Sequence, residues 1–262
     1  MVNRIIGHRG IGKNDFNKDD IKYTENTVYS VCKAFEKEVK TIEIDVQLTK
    51  DNKIVVYHDF YLNYKGKKFF IKDINFKEFK KFTRKSKNKM ENPNSLHFLF
   101  KNTNHLAVNY NVELKFPTKN EIEELDYKKL NNKKYLKKVI KLLNKQQNIS
   151  FISSFSAKTI KRAQKLTKIG CFFLTEGNKS KSYKPIENNF EESIKFALKN
   201  KMKGIVVDFK IFVENIKKSK ICKSLIIGVY NCLQKDYIKY KTEQNLDISR
   251  IDFFIVDEIF DL

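Results

Sequence analysis

At 262 residues with a formal net charge of +22, the chain is long enough for one large domain or two small ones, and a single α/β barrel of about 250 residues fits that length. Arginine occurs only at positions 4, 9, 84, 162 and 250, so the basic excess is almost all lysine. That pattern reads as compositional bias on solvated faces rather than a nucleic-acid footprint, although it would help draw in anionic substrates.

Cysteines at 32, 171, 222 and 232 show neither metal-site spacing nor a disulfide framework. No apolar leader precedes the first strand, and no apolar run nears the roughly 20 residues of a membrane span. A soluble protein in a reducing, cytoplasmic setting is expected.

In chain order, Arg4-Ile5-Ile6 opens a short buried strand that runs into Gly7-His8-Arg9-Gly10. The glycines allow close approach of backbone and ligand, arginine offers a planar fork for phosphate, and histidine moves protons near neutral pH. Thr24-Glu25-Asn26-Thr27 opens a helix that runs to about Lys40, with Asn26 or Thr27 as cap and Val28, Val31, Ala34, Phe35 and Val39 as its apolar stripe.

Residues 41 to 59 follow. Ile42, Ile44 and Val46 alternate with Glu43 and Asp45, so the two carboxylates share one face of a strand. Asp51-Asn52 is turn chemistry, and Ile54 to Tyr57 forms a second strand. The connection is too short for a parallel crossover, so the pair is an antiparallel hairpin. A turn centred on 51 and 52 returns His58 beside Asp45. This stretch alone reads either as a surface strand with an acidic polar face or as a pair of like charges bridged by a cation, the simplest resolution of their repulsion, for which oxygen-only ligands favour Mg²⁺ or Ca²⁺.

His8-Arg9-Gly10, Glu25-Asn26-Thr27, Glu43-Ile44-Asp45, Thr49-Lys50-Asp51 and His58-Asp59 stand in the order and spacing of the glycerophosphodiester phosphodiesterase family. The runs Gly7 to Asn14 and Asp45 to Asp51 most resemble its eukaryotic glycerophosphocholine phosphodiesterase branch. Each tripeptide alone is a weak signal, and five in register are a strong one.

Further along, Ile71-Lys72-Asp73-Ile74 leads into a short helix ending near Phe82, residues 83 to 95 form a polar loop, and a helix starts near Ser95. His97 and His105 fall in no family motif and are read as surface or packing residues. Val108 to Lys115 is a strand with Glu113 and Lys115 on one face, closed by Pro117. It matches the family's Glu-x-Lys motif, whose glutamate completes the metal site.

Helices and strands then alternate: a helix at 135–143, a strand at 149–155, a helix at 157–168, a strand at 170–174, a helix at 190–200, a strand at 204–208, a helix at 211–218, a strand at 224–230, a short helix at 236–240 and a last strand at 253–256 that ends at Asp257. Eight strands remain when 54–57 is set aside as an insertion. The fold class is therefore α/β, a (β/α)₈ TIM barrel with a small β-hairpin insertion after strand 2, in one domain.

Barrel strands present their active site at their C-terminal ends. That places His8, Arg9, Glu43, Asp45, His58, Glu113 and Lys115 at one mouth. Three carboxylates with two cationic side chains suit one divalent cation and one bound phosphate.

The resemblance implies hydrolysis of a glycerophosphodiester to sn-glycerol 3-phosphate and an alcohol. Glu43, Asp45 and Glu113 would hold the metal, His8 and His58 would move the protons, and Arg9 and Lys115, with Glu25, would contact the phosphate. Downstream, Gly228-Val229-Tyr230-Asn231 is closer to the eukaryotic variant of the family pattern, and Tyr230 is a candidate cation–π contact for a choline headgroup.

The expected partner is a small-molecule glycerophosphodiester, with no nucleic acid and at most weak peripheral membrane contact. The rival readings are a lysophospholipase D using the same residues on an acylated lipid, and a non-catalytic basic protein binding RNA or a membrane surface on a retired barrel.

Overall fold

A computed structural model describes residues 4–13, 24–117, 122, 132–176, 190–216, 224–243 and 248–259. Asn14, Gly177, Cys222, the connector after Pro117 up to 131 (residue 122 apart) and the expected helical positions 217 and 218 lie outside these residues.

The chain runs β1 (Ile5–Gly7), α1 (Val28–Glu36), β2 (Thr41–Leu48), β3 (Ile54–Val56), β4 (Tyr61–Tyr64), β5 (Lys67–Phe70), α2 (Phe76–Phe82) and α3 (Leu96–Thr103). It continues with β6 (Asn109–Leu114), α4 (Asn132–Leu143), β7 (Ile149–Ser154), α5 (Ala157–Gln164), β8 (Cys171–Thr175), α6 (Phe190–Lys199), β9 (Gly204–Asp208), α7 (Phe209–Ile216), β10 (Ile226–Tyr230), α8 (Gln234–Glu243) and β11 (Phe253–Val256).

Eight parallel strands close into a barrel in the order β1, β11, β10, β9, β8, β7, β6, β2, and β2 pairs back to β1. β2 does three things along its length. Thr41 and Ile42 close the barrel on Ile6 and Gly7, and Thr41 to Val46 run alongside β6. Beyond the barrel rim, Val46 to Leu48 pair antiparallel with β3.

The strand alternation sorts the side chains. Ile42, Ile44 and Val46 belong to the large cluster that also takes in apolar faces of the surrounding helices. A second cluster holds Ile6, Phe151, Phe172, Leu174, Val206 and Ile255, with Phe253 packed against it. Its rings sit near the strand beginnings, with Phe151 at 4.4 Å from Phe172 and 5.2 Å from Phe253. Gly228 and Gly204 make room for them, since a Cβ at either position would fall onto the ring of Phe253 or Phe172. The apolar rings fill one end of the barrel, and the charged residues gather at the other.

The insertion after β2 is larger than the expected hairpin. β3 is followed by a separate two-stranded sheet, β4 with β5, and by α2. Lys65 and Gly66 turn it with φ of 50° and 72°, the conformation of a tight two-residue hairpin turn. Val55, Leu62, Ile71, Ile74 and Phe79 form its own small core. The stretch 83–95 contains a short 3₁₀ turn at Lys89–Glu91. Among the described residues, no helix is long and apolar enough to cross a membrane. Cys32, Cys171 and Cys232 are free thiols.

Candidate active site

The loop after β1 is tightly pinned. Arg9 adopts φ of 53° and Gly10 φ of 101°, and a Cβ on Gly10 would run into Ser30. The Arg9 carbonyl accepts hydrogen bonds from the Asn26 backbone N–H (2.8 Å) and the Ser30 hydroxyl (3.1 Å). The Arg9 N–H donates to Glu43 Oε2 at 3.0 Å. Its guanidinium Nη1 donates to both carboxylate oxygens of Glu25, at 3.0 and 3.1 Å, and Nε lies 3.5 Å from Asp45 Oδ2. Burial disfavours the Arg9 charge, but Asp45, Glu25 and Glu43 outweigh it and hold the pKa above its ordinary value. Glu25 is thus placed against Arg9, orienting the fork.

Thr27, not Asn26, caps α1, in a capping box with Ser30. Asn26 sits at φ of 58° and turns its amide to Asp45 instead. Its Nδ2 donates to Asp45 Oδ2 at 2.9 Å, and its Oδ1 accepts from the Asp45 backbone N–H at 3.0 Å.

Glu43 and Asp45 on β2 meet Glu113 on β6, where Asp45 and Glu113 are register partners. One oxygen from each of the three carboxylates lies within 4.8 Å of the others. Glu43 Oε1 and Asp45 Oδ1 are buried without a hydrogen-bond partner. Lys115 Nζ is 3.0 Å from Glu113 Oε1 but 3.8 Å from Asp45 Oδ1, beyond hydrogen-bond reach. Burial, with Asp45 and Glu113 nearby, pushes the Glu43 carboxyl well above its usual range. Burial acts in the same direction on Asp45, but His58, Lys115 and Arg9 overcome it and hold that carboxyl low. Three converging carboxylates with two orphaned buried oxygens fit a hard, oxygen-binding divalent cation.

Both histidines are oriented by an aspartate. His8 Nδ1 is 2.6 Å from Asp257 Oδ1, just past β11, and His58 Nδ1 is 2.7 Å from Asp59 Oδ1. A carboxylate acceptor sets each Nδ1 as the N–H donor and leaves Nε2 as the free base. Arg9 Nε donates to His8 Nε2 at 3.2 Å, which agrees with that tautomer. His8 Nε2 also lies 3.9 Å from Glu43 Oε2. Burial would raise the Asp257 pKa, yet the bond from His8 and the contacts of Lys13 hold it low.

The segment carrying His58 is fixed by Gln47. Its Nε2 reaches the carbonyls of Tyr57 (2.8 Å), His58 (3.2 Å) and Asp59 (2.7 Å). The hairpin register sets Val46 opposite Val56, and the Tyr57 N–H donates to the Asp45 carbonyl. Tyr57, not His58, is therefore the residue facing Asp45, one position off the expected alignment, with His58 next to it at the rim.

Tyr230 ends β10. Its hydroxyl donates to the Thr175 carbonyl at 3.2 Å, and its ring meets Phe155 edge-on at 6.0 Å. Burial, then Asp208, Glu176 and Glu113, push the phenol pKa up. Beside it, Asn231 Nδ2 donates to Asp208 Oδ2 at 2.9 Å. His97 and His105 are exposed, in keeping with a surface role.

Asn26, Gln47, Asp59 and Asp257 take part in the site although the sequence alone assigns none of them a role in it; Asn26, Gln47 and Asp59 lie inside the family-like motifs and runs. Asp257 carried one usable signal, since it follows the end of a barrel strand. Asp59 carried another, as the immediate neighbour of a candidate histidine. For Asn26 and Gln47 the sequence offers no sign of which partners their amides take.

Three comparisons bear on this arrangement. The model of the Glycerophosphoryl diester phosphodiesterase family matches residues 8–254. A glycerophosphocholine phosphodiesterase of Candida albicans is 53% identical over 57 residues, 22% of this chain but 5% of that protein's length. The first four curated relatives matched are covered over only 4–8% of their own lengths. A glycerophosphodiester phosphodiesterase of Arabidopsis thaliana is 26% identical over 98% of this chain and 76% of its own. Among solved structures, a phosphodiesterase of Oleispira antarctica in complex with the product sn-glycerol-3-phosphate superposes with a TM-score of 0.70 at 19% identity, covering 97% of this chain and 92% of that one. The glycerophosphodiester phosphodiesterase of Thermotoga maritima gives a TM-score of 0.64 at 23% identity, over 97% and 94%.

Proposed function

Because this chain belongs to the glycerophosphoryl diester phosphodiesterase family, we propose that it hydrolyses glycerophosphodiesters to sn-glycerol 3-phosphate and an alcohol, with glycerophosphocholine as the preferred substrate. The observation that carries the proposal is the three-carboxylate cluster with its two orphaned oxygens, flanked by two aspartate-held histidines.

Glu43, Asp45 and Glu113 would hold one Mg²⁺ or Ca²⁺, which when bound supplies positive charge for the phosphate oxygens. Arg9 stays charged under burial and, with Nη1 and Nε held by Glu25 and His8, presents positive charge to the phosphodiester, and Lys115 adds a second positive charge. His8 Nε2, unprotonated and in this structure accepting from Arg9 Nε, takes the proton of the attacking hydroxyl once that hydroxyl displaces the arginine contact. His58 stands at the rim and acts in its imidazolium form, with Nδ1–H held by Asp59, so that its Nε2 proton passes to the departing alcohol, which leaves towards solvent. The attacking hydroxyl is the glycerol 2-hydroxyl, so a cyclic phosphate forms and the alcohol leaves. Water then opens the ring, with the histidines exchanging roles. Tyr230 and Phe155 form an aromatic wall for a cationic headgroup, with the Asp208 carboxylate close by.

The basic insertion that follows His58 favours a second reading, action on an acylated glycerophosphodiester. Release of choline from glycerophosphocholine set against release from lysophosphatidylcholine tests the two together. Turnover of the first alone supports the leading reading, and turnover of the second alone replaces it. A retired, non-catalytic barrel is disfavoured because the sequence retains His8, Arg9, Glu43, Asp45, His58, Glu113 and Lys115, with none of these candidate residues replaced.

A further inference from the structure

We propose that the inserted unit of β4, β5 and α2 is a docking surface for anionic phospholipid membranes, built onto the rim of the active-site mouth. Residues 61 to 90 carry eleven basic side chains and two acidic ones, a net charge of +9 in 30 residues. The remaining 232 residues carry +13 between them. A lysine bias spread evenly over the chain does not produce that concentration. Ten of the eleven basic residues are exposed, and Lys72 is half-buried.

These lysines stand on a formed platform. The stacked pair Tyr64–Phe82 (4.4 Å) and the tilted pair Phe69–Phe82 (4.8 Å) tie the hairpin to α2 over the small core of Leu62, Ile71, Ile74 and Phe79. Directly opposed residues of an antiparallel pair share a face, so Tyr61, Phe70, Asn63 and Lys68 lie on the other side of the hairpin. There, Lys68 Nζ sits 3.8 Å over the Tyr61 ring and 5.7 Å from that of Phe70, and Lys72 Nζ is 5.6 Å from Phe70. Aromatic rings with lysine ammoniums above them match the boundary layer of a bilayer, where rings lie at headgroup depth and lysines meet anionic lipids.

Position adds the functional link. The hairpin starts two residues after Asp59, and Phe60 between them packs under Lys115 Nζ at 5.6 Å. A membrane held by the hairpin therefore lies next to the mouth. RNA fits this surface less well. Only Arg84 among its cations offers a planar fork, and the Tyr61, Phe70, Tyr64 and Phe82 rings are occupied by lysines or by one another rather than open for base stacking. The choice of lipid over RNA rests in part on the reaction proposed above, but vesicle binding is read without turnover, so the two proposals fail separately.

The test is co-sedimentation of the full chain with vesicles of phosphatidylcholine alone and of phosphatidylcholine mixed with phosphatidylserine, at low and high salt. Binding is expected only to the mixed vesicles and should weaken steeply with salt. The variant Lys65→Gln/Lys68→Gln/Lys81→Gln should lose about a hundredfold in vesicle affinity, at about fivefold per lysine. Its circular dichroism and thermal melt should match the parent. Lys158→Gln/Lys161→Gln/Lys165→Gln, the same charge change on and just beyond α5, should bind as the parent does. No binding to the mixed vesicles, an equal loss in the two variants, or displacement by RNA at far lower concentration than by lipid overturns the proposal.

Discussion

Asp257 Oδ1 lies 2.6 Å from His8 Nδ1, joining residues 249 positions apart across the seam where β11 meets β1. The bond fixes which imidazole nitrogen carries the proton, and it also makes the base depend on the correct closure of the barrel. In Asp257→Asn the side chain keeps its size but can no longer hold an imidazolium. The expected loss in kcat is on the order of 10² or more with KM little changed. A thermal melt close to the parent's shows that the loss is chemical. Normal kcat in this variant would remove Asp257 from the account.

His58→Ala should lower kcat by at least about 10² while the protein stays folded, because His58 is partly exposed at the rim and carries little packing. Release of a p-nitrophenol leaving group, which needs no protonation, should be impaired much less. Equal loss on both substrates would count against His58 as the acid.

Glu43 gives the pH prediction. Its pKa is raised in the folded protein by burial and by Asp45 and Glu113. The protonated form is therefore favoured on folding, and the stability it contributes is present below the unfolded value of about 4.3 and lost as pH rises through the folded value. Without added cation and with chelator, the parent should lose stability relative to Glu43→Gln, which has no charge to bury, as pH rises above the unfolded value of about 4.3. A divalent cation should restore the parent, release a proton on binding, and do neither for the variant. Melting curves that are parallel across this range would contradict the reading.

Asn26→Ala removes two hydrogen bonds from a fully buried aspartate. A cost of about 1–3 kcal/mol in stability is expected, read by denaturant unfolding, together with weaker cation affinity from a loosened Asp45. Loss of stability with unchanged cation affinity would make Asn26 structural only.

Much of this site was legible in the sequence because its signals are local. Alternation along Ile42 to Val46 placed Glu43 and Asp45 on one face, and the short connection forced the antiparallel hairpin. Eight strands alternating with helices pointed to the barrel. The one-residue slip at Asp45 and Tyr57 arises because three residues, Lys50 to Asn52, lie between the bonded Thr49 and Lys53, which centres the turn on Asp51 and not between Asp51 and Asn52. The β4–β5 hairpin gives no such local signal, because its Lys65-Gly66 turn sits in lysine-rich sequence without alternating polarity. Asn26 looked like a cap, and only the fold reveals that Thr27 takes that role and frees its amide for Asp45. The bond from His8 to Asp257 is set by barrel closure, which no local pattern encodes.

The central claim is a cation-dependent phosphodiesterase. Its most direct test is release of sn-glycerol 3-phosphate from glycerophosphocholine by the purified protein, with Mg²⁺ or Ca²⁺ and again with chelator. The account predicts release that depends on the cation and is abolished in Glu43→Gln. Release that continues undiminished in chelator, or no release from any glycerophosphodiester with either cation, would contradict it.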